Sequence, residues 1–418
     1  MEGRRTFIKT LAACSVGSAR WVSDLRAAGT SRAPKLKISA VKAVRLKDEN
    51  NQFVRVYTDG GVYGTGETFD TVGAAEIVNG YLGPAIVGKD PLQIENIYTG
   101  LLSSFKIPGG KAPPFMKGTG GPYLSAVSAI DMALWDLAGK ALGLPIYQLF
   151  GGKVRDRVAV YFHANDPDTA RQVIRDTGVK AIKIMADGIL ERLKSAGKVS
   201  NLFDPGKRLG LRLTYPEIDA LAGIAASIRE AVGPEVGVAM DVHTKYDTES
   251  AMQLARALEP SRLMWLEEPV PSDNLDELAS IRKTTRTPIA CGENVYTRFG
   301  YRQLLEKQAV SLIQPDVGKC GGLWEARKIA AMAEAYYVPV AAHGMFSAVG
   351  TMASAHFCAS IPNLMLQEWG RYLEDNVNRI APKPAYRAGY IEIRDTPGIG
   401  VELDPDALKE MVQPGFSL

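Results

Sequence analysis

The chain has 418 residues, of which 49 are basic and 46 acidic, so its formal net charge at pH 7 is +3. This balance does not favour nucleic acid binding, and any attraction of an anion must come from a local cluster of charge. The length suits a barrel of roughly 250 residues with one further domain, and the unpaired spacing of the four cysteines argues against a disulfide framework and a zinc site.

The first 33 residues are predicted to lie outside the fold. Arg4 and Arg5 precede a mildly apolar segment, residues 11–19, and alanines at positions 27 and 28 offer a cleavage point. This order resembles a twin-arginine export leader and favours a periplasmic or exported protein, and the alternative is a disordered tail on a cytoplasmic one. After residue 30, no apolar run reaches the roughly 18 residues that a membrane span requires.

Residues 34–155 are predicted to form an α+β domain. Residues 35–68 alternate between apolar and polar side chains and turn at residues 59–61, Asp-Gly-Gly, which is typical of a three-stranded antiparallel meander. Helical spacing follows and is clearest over residues 123–142. Just before that helix, the many glycines and prolines of residues 108–121 predict a surface loop.

Beyond residue 156, short apolar runs each end in a titratable side chain. Asp241, Glu267 and Glu293 close three such runs and stand 26 residues apart, which is the length of one strand-helix unit. In a barrel of such units the strand ends meet at one rim, so these carboxylates are expected to converge. Three like charges need a cation among them, and oxygen ligands favour Mg²⁺. The alternative is three unrelated, solvated carboxylates.

The same rhythm continues through Asp316, His343 and Glu368, and it begins at His163 and the Lys183 segment. An imidazole titrates near neutral pH, and Asp316, one strand earlier, can hold its tautomer, so His343 is the predicted catalytic base. His163 stands at the end of the first barrel strand. It either faces the substrate or is a structural histidine.

A basic insertion interrupts the repeat after the second barrel strand. Residues 186–216 carry six basic and three acidic side chains, a local excess of positive charge. Such a loop can attract an anionic substrate or cover a neighbouring subunit. The alternative is a solvated surface loop.

Taken in order, these motifs resemble the enolase superfamily, in its mandelate racemase-like branch of acid-sugar dehydratases of the galactonate and mannonate dehydratase type. Residues 129–140 match a signature of that family. Asp131, Trp135 and Asp136 of this segment are interpreted as structural residues that join a capping region to the barrel, because no base or metal partner lies nearby in the sequence.

The resemblance implies an α/β fold, a (β/α)7β TIM-like barrel beneath an α+β capping domain. The barrel would cover residues 156–384, and the cap would combine residues 34–155 with a C-terminal segment, residues 385–418. Within that segment, residues 388–401 resemble the stretch by which family members return to the cap. Loops of the cap select the substrate in the family, and residues 108–121 or the turn at residues 48–52 can do so here, unless they are linkers.

One departure from the family bears on the reaction. Relatives often end the second barrel strand with Lys-x-Lys, whose second lysine is a base opposite the histidine, whereas here Lys183 is followed by Met185. A thioether cannot accept a proton. His243, two residues after Asp241, resembles the general acid of the dehydratases, and strand alternation predicts that it faces the same side as Asp241. Lys183 and Glu368 are expected to hold the substrate carboxylate.

These features predict Mg²⁺-dependent dehydration of an aldonate-type sugar acid to a 2-keto-3-deoxy acid through an enediolate. Racemisation, epimerisation or cycloisomerisation with a second base stays open as an alternative. So does a sugar-acid-binding protein without turnover, although binding alone needs no oriented base. The predicted partners are a small sugar acid and further copies of the chain, with no nucleic acid and no membrane span.

Overall fold

The computed structural model describes residues 34–69, 72–103, 120–199, 210–370 and 378–418. The predicted leader, the predicted loop before the long helix and the middle of the basic insertion lie wholly or largely outside these residues. The leader, the domain boundaries and the homo-oligomer stay predictions. In the described part of the chain, no helix has both the length and the apolar character that crossing a membrane requires.

A three-stranded antiparallel sheet in the order β1-β2-β3 opens the described chain, with strands Ile38–Arg45, Gln52–Thr58 and Tyr63–Thr68. This is the meander that the alternating pattern predicted. Its second turn lies at the predicted Asp-Gly-Gly, where Gly61 N donates to Thr58 O over 3.2 Å. The inward residues Val54 and Val56 are buried and belong to the hydrophobic core of the cap.

Among the described residues, five helices complete the N-terminal part of the cap, and a π-helical turn, Val78–Leu82, separates the first two. Pro122 stands in the first turn of the longest, and Gly143, with a φ of 69°, ends it in the left-handed conformation that favours glycine. The helices are α1 Ala74–Ile77, α2 Gly83–Ile86, α3 Ile94–Ser103, α4 Gly121–Leu142 and α5 Ile146–Leu149.

The long helix α4 lies directly against β3 because two residues of that strand have no side chain. A Cβ at Gly64 would stand 2.0 Å from Ala133 O, and one at Gly66 would stand 2.0 Å from Ala129 O. Both distances are far shorter than any van der Waals contact. The Gly-x-Gly of β3 therefore sets the separation of helix and sheet in the cap.

Eight parallel strands form a closed barrel, in which each strand pairs with the next and β11 pairs with β4. Seven helical connections join them, so the architecture is the predicted (β/α)7β barrel. The strands are β4 Arg157–His163, β5 Ala181–Met185, β6 Gly237–Asp241, β7 Leu266–Glu267, β8 Ile289–Cys291, β9 Leu312–Ile313, β10 Val340–Ala342 and β11 Leu364–Glu368.

The helices of the barrel follow its strands, and the described part of the second connection contains two of them. Side chains cap several N-termini: Asp166, for example, accepts from Asp168 N and Thr169 N. The helices are α6 Pro167–Thr177, α7 Ala186–Ser195, α8 Tyr215–Val232, α9 Thr248–Ala257, α10 Leu275–Thr284, α11 Thr297–Glu306, α12 Leu323–Ala335 and α13 Ala348–Ser360, with a 3₁₀ turn at Glu259–Ser261.

A separate apolar layer fills the barrel interior below its C-terminal rim. Two large aromatic rings, Tyr161 and Trp265, pack edge to face with centroids 5.4 Å apart. The facing strands contribute small or aliphatic side chains, which leaves room for the two rings. The buried members of the layer are Tyr161, Ala181, Ala239, Trp265, Ala290, Leu312 and Ala341.

The C-terminal segment contacts the barrel first and the cap afterwards. Strands β12, Tyr386–Arg387, and β13, Tyr390–Glu392, form a hairpin that pairs antiparallel with the start of β4. The structure thus places the first part of the expected return segment on the barrel. From Gly398 onward the chain contacts the cap, and after α14, Pro405–Met411, it pairs with the end of β1.

Three residues of α4 were predicted to be structural, and their contacts agree with that role. Asp136 accepts from Thr65 N of β3 and from Ile399 N of the C-terminal segment, each over 2.8 Å. Asp131 accepts from Trp324 N at the start of α12. Trp135 packs against the Trp324 ring with centroids 5.4 Å apart. Helix α4 therefore joins the cap to the barrel and to the chain end.

We expect Gly66→Ala to destabilise the protein by about 3 kcal/mol, because the new methyl group would overlap the backbone of α4. Gly80→Ala is the matched control: this cap glycine is helical and has open space around its Cβ position, so its effect should stay within about 1 kcal/mol. Urea unfolding of both variants measures the difference. An unchanged midpoint for Gly66→Ala would contradict the tight packing of β3 and α4.

Candidate active site at the barrel rim

Three carboxylates meet at the C-terminal rim of the barrel. Asp241 is the last residue of β6, Glu267 is the last residue of β7, and Glu293 lies two residues beyond β8. One oxygen of each lies within 4.8 Å of the others. The register of the parallel strands causes this convergence, since Asp241 stands directly beside Glu267. The structure thus brings together the three residues that the 26-residue spacing singled out.

The cluster has the composition of a cation site. Asp241 and Glu267 are buried and Glu293 is partly buried. Burial, and then the neighbouring charge of Glu267, raises the pKa of Asp241 well above its ordinary value, so the cluster is unfavourable without a compensating charge. Within the described residues, Asp241 Oδ2 accepts no well-aligned hydrogen bond, although Lys183 Nζ and His243 Nε2 lie 3.2 and 3.3 Å away. Buried carboxylate oxygens with free acceptor capacity are the donors that a hard divalent ion requires, so these residues can hold a metal.

Lys183 supplies a positive charge to this cluster. Its Nζ atom lies 2.7 Å from Glu368 Oε1 and 2.9 Å from Glu267 Oε1, and 3.2 Å from Asp241 Oδ2. Burial opposes its charge, but Glu267 and Glu368 raise the pKa of Lys183 well above its ordinary value. A lysine held in the protonated form balances charge and donates hydrogen bonds, and it has no lone pair with which to act as a base.

Glu368, the last residue of β11, connects Lys183 to two histidines. Its Oε1 atom lies 2.7 Å from His163 Nε2, and its Oε2 atom lies 3.6 Å from His343 Nε2 and accepts from Gly344 N. Burial opposes ionisation, yet Lys183 and His343 lower the pKa of Glu368 well below its ordinary value. His163 therefore lies at the rim and contacts Glu368, which was also predicted to bind the substrate.

His343 and Asp316 form the pair predicted from their adjacent strand ends. His343 Nδ1 lies 2.6 Å from Asp316 Oδ2, and the two residues form a parallel bridge just beyond β9 and β10. Gly318 N donates to the other oxygen of Asp316 over 2.7 Å. Because Asp316 occupies Nδ1, the Nε2 atom of His343 faces the rim, 2.9 Å from Glu293 Oε2. An imidazole oriented in this way can exchange a proton at Nε2.

The charge around His343 is shared with the carboxylate cluster. Burial opposes protonation, but Glu293 and Glu368 raise the pKa of His343 well above its ordinary value. Conversely, burial opposes ionisation of Glu293, and His343 lowers the pKa of that carboxyl. A divalent ion bound by Glu293 would compete with the imidazolium for the same carboxylate. Loading the cluster and freeing Nε2 are therefore linked by electrostatics.

His243 reaches the rim through a turn. Strand β6 ends at Asp241, whose own Oδ1 accepts from His243 N over 2.9 Å, and His243 and Thr244 have φ angles of 49° and 58°. Placing His243 by strand alternation is therefore wrong, because this backbone is no longer extended. The side chain nevertheless comes close to Asp241, with Nε2 lying 3.3 Å from Oδ2.

A second carboxylate holds the other nitrogen of His243. Asp187 Oδ2 lies 2.8 Å from His243 Nδ1. Burial opposes protonation of the ring, but Asp187 and Asp241 raise the pKa of His243 to about 9. The imidazole is thus protonated near neutral pH in this arrangement, which suits a proton donor better than a proton acceptor.

Met185 ends β5 beside Asp241 in the strand register. The family resemblance places a second base at this position, and a thioether cannot accept a proton. Three imidazoles lie at the described rim, those of His163, His243 and His343. Among them, only His243 and His343 have a carboxylate at Nδ1.

The end of β3 in the cap holds the chain segments behind the Asp316–His343 pair. Thr68 Oγ1 donates to Gly318 O over 2.8 Å, in the turn after Asp316. The next residue back, Glu67, is fully buried and accepts from Ser347 N, Ser347 Oγ and Gly350 N. These donors begin α13, four residues after His343. The cap therefore positions both halves of the pair from behind.

Several residues of the site were not predicted from the sequence, although a sequence pattern pointed to two of them. Trp265 stands two residues before Glu267, on the same side of the strand, and its Nε1 donates to Glu267 Oε2 over 2.9 Å. Glu268, the second member of the Glu-Glu doublet, is buried and accepts from Asn294. Burial, followed by the charge of Glu293, raises the pKa of Glu268 to about 7.

The other missed residues gave no local signal. Asp187 lies in the unusual insertion after β5, and its contact with His243 depends on a turn that follows a different strand. Glu67 and Thr68 belong to the cap, and they meet the barrel through hydrogen bonds spanning 250 or more sequence positions. No spacing rule along the chain connects such distant residues.

Two family models match the chain. The one described as "Enolase C-terminal domain-like" matches residues 166–407, which cover most of the barrel and the C-terminal hairpin. The one described as "Mandelate racemase / muconate lactonizing enzyme, N-terminal domain" matches residues 30–151, which contain the meander and the long helix of the cap.

Similar proteins span nearly the same length. D-xylonate dehydratase of Haloferax volcanii is 40% identical over 370 residues, which are 87% of this chain and 86% of that protein. D-galactonate dehydratase of Variovorax paradoxus is 32% identical over 85% of this chain and 89% of its own. A crystal structure of a mandelate racemase/muconate lactonizing enzyme-like protein from Rubrobacter xylanophilus matches with a TM-score of 0.80 and 35% identity, covering 92% of this chain and 99% of that one.

We expect Glu267→Gln to weaken Mg²⁺ binding by roughly tenfold to a hundredfold, because it removes one of three negative charges while preserving the shape of the side chain. Calorimetric titration of the purified protein measures the affinity directly and does not depend on activity. Glu306→Gln, an exposed position on α11, is the control and should leave the affinity unchanged. Equal affinity of Glu267→Gln and wild type would rule out Glu267 as a ligand.

Proposed function

The chain belongs to the mandelate racemase subgroup of the enolase superfamily and is a hydro-lyase, and we propose that it removes water from an aldonate-type sugar acid, with Mg²⁺ as cofactor, to give a 2-keto-3-deoxy acid. The names of its relatives, dehydratases of D-xylonate and D-galactonate, support this substrate class. One observation carries the proposal: an oriented imidazole lies beside a carboxylate cluster, and a methionine stands where a second base would be needed.

His343 Nε2 is the atom assigned to removal of the α-proton. Asp316 holds the proton on Nδ1, so the lone pair of the neutral ring points into the site from Nε2. As the C–H bond breaks, its electron pair moves toward the substrate carboxylate, and an enediolate forms. The cap keeps this geometry in place through its contacts with Gly318 and Ser347.

An α-proton beside a carboxylate is so weakly acidic that its loss must be coupled to stabilisation of the negative charge that develops. Asp241, Glu267 and Glu293 would hold the Mg²⁺, which when bound supplies positive charge to the carboxylate and α-hydroxyl of the substrate. Lys183 is fixed by three carboxylates, so its ammonium group is oriented before the reaction starts. Glu368 and His163 complete the same end of the site.

The β-hydroxyl leaves with help from the opposite side. His243 Nε2 donates a proton to this oxygen as the C–O bond breaks, and the departing group is water. The resulting enol tautomerises to the 2-keto-3-deoxy acid. A pKa of about 9, raised by Asp187 and Asp241 against the effect of burial, supports the donor role of His243.

A second Asp–His pair on the opposite side of the site favours an alternative, epimerisation by two bases. His243 would then return a proton to the other face of the α-carbon instead of giving it to a leaving group. The raised pKa of His243 suits either role, because both require a protonated ring. The names of the relatives, which are dehydratases, weigh against this alternative. A binding protein without turnover is disfavoured because neither oriented pair is needed for binding alone.

We expect His343→Asn to abolish both turnover and exchange of the α-proton with D₂O, since no other side chain would take that proton. His243→Asn should retain exchange, while dehydration slows by roughly 10²- to 10⁴-fold, the range typical of losing a general acid. Proton NMR of an active sugar acid with the Mg²⁺-loaded variants measures both rates in one sample.

Two outcomes would refute this division of roles. If His243→Asn lost exchange as completely as His343→Asn while still binding Mg²⁺, His243 would be a second base or a support for Asp241. If the wild type converted the substrate to its α-epimer instead of a keto acid, the epimerase alternative would replace dehydration.

A further inference from the structure

Two Asp–His pairs lie on opposite sides of the carboxylate cluster and share one geometry. Asp316 Oδ2 lies 2.6 Å from His343 Nδ1, and Asp187 Oδ2 lies 2.8 Å from His243 Nδ1. In each pair the carboxylate occupies Nδ1, so that Nε2 faces the cluster. The distances from Nε2 to the nearest cluster oxygen are 2.9 Å for His343 and 3.3 Å for His243.

The position of Asp187 at the start of α7 brings it to His243. Helix α7 begins directly after β5, and Asp187 is its second residue. The side chain is 22% exposed, and Lys245 Nζ also lies 2.6 Å from Oδ2. Asp168, the second residue of α6 after β4, is the contrasting case: its side chain is 90% exposed and pairs only with nearby Arg171 at the surface. Asp187 alone of these two is turned toward the rim.

The other contact of the His243 ring is longer, since Nε2 lies 3.3 Å from Asp241 Oδ2. His243 lies beyond the end of β6 in a turn with positive φ, so no strand pairing holds it, and its side chain is 33% exposed. The terminal torsion of an imidazole is broad, so a ring without a partner at Nδ1 can rotate and present either nitrogen. The bond to Asp187 removes this freedom, because it fixes both the ring plane and the nitrogen that faces the cluster.

We propose that Asp187 is a positioning residue for His243, which orients Nε2 toward the leaving β-hydroxyl of the substrate and leaves the base on the opposite side untouched. This inference rests on the proposed function, because it concerns the second half of the dehydration. It assigns a role to Asp187 at the start of the insertion after β5. The face of the site opposite His343 then has an Asp–His pair of its own.

The two halves of the reaction should therefore respond differently to Asp187→Ala. Proton removal by His343 should continue at close to the wild-type rate, while loss of the β-hydroxyl slows because the donor is no longer aimed at it. In D₂O, the ratio of α-exchange to dehydration should rise by roughly tenfold to a hundredfold over wild type. Asp187→Asn retains an oxygen that can accept from Nδ1, so its ratio should lie between the two.

Asp168→Ala is the matched control. It removes the same side chain from the same position of the helix after the neighbouring strand, where the carboxylate lies in solvent. Its ratio of exchange to dehydration should equal that of wild type. Thermal unfolding of each variant checks that the chain is folded, and should Asp187→Ala fail to fold, the ratio measured for Asp187→Asn decides.

A substrate with a better leaving group separates positioning from general damage. In the 3-deoxy-3-fluoro analogue of an active sugar acid, His343 takes the α-proton and fluoride leaves with the electron pair of the C–F bond, so no proton donor is required. We expect wild type, Asp187→Ala and His243→Asn to release fluoride at rates within about threefold of one another. A fluoride electrode measures this release.

Failure of the inference can be told apart from failure of the proposed function. If the wild type showed neither exchange nor keto-acid formation with any sugar acid, the proposed function would fall, and the role of Asp187 with it. If the wild type were active and Asp187→Ala left the ratio unchanged, Asp187 would have no positioning role. Equal slowing of exchange, dehydration and fluoride release would mean that Asp187 supports the rim as a whole, which also overturns the proposal.

Discussion

The mutual repulsion of buried carboxylates at the barrel rim is the constraint on which the rest of the site depends. Three carboxylate oxygens from consecutive strands lie within 4.8 Å of one another, and a fourth carboxylate, that of Glu368, contacts Lys183. Such a cluster is stable only if positive charge surrounds it. Lys183 provides that charge through its contacts with Asp241, Glu267 and Glu368. The imidazoles of His243 and His343 lie against Asp241 and Glu293. A divalent cation would complete the balance. The carboxylates therefore hold each cationic group in place, and the proposed dehydration uses the same groups.

The cap contributes to this site from behind. Glu67 and Thr68, adjacent at the end of β3, hold the chain just beyond Asp316 and His343. Glu67 is fully buried, and it is compensated by donors at the start of α13, where the N–H groups of a helix favour a negative charge. The close packing of α4 on the glycines of β3 fixes the position of this strand end. The packing of α4 on β3 in the cap therefore helps to orient the base, His343.

Much of this fold and site is predictable because it depends on regular geometry. Equal spacing of Asp241, Glu267 and Glu293 reports equal strand-helix units, and parallel strands bring their ends together. Turns and long-range contacts that do not follow this regular geometry could not be predicted. His243 follows a turn with positive φ, so strand alternation does not apply to it, and Asp187 and Glu67 meet their partners through contacts that no period along the chain encodes. Residues 1–33, including the leader, and most of the predicted cap loop lie outside the described residues.

The most direct test of the whole account is a screen of C5 and C6 aldonates with the purified protein, in which 2-keto products are detected as semicarbazones, before and after chelation of divalent metal. The account predicts that at least one aldonate yields a 2-keto-3-deoxy acid, that EDTA abolishes the product and that added Mg²⁺ restores it. Product formation that survives complete chelation, or a metal-loaded protein that converts no sugar acid at all, would contradict it.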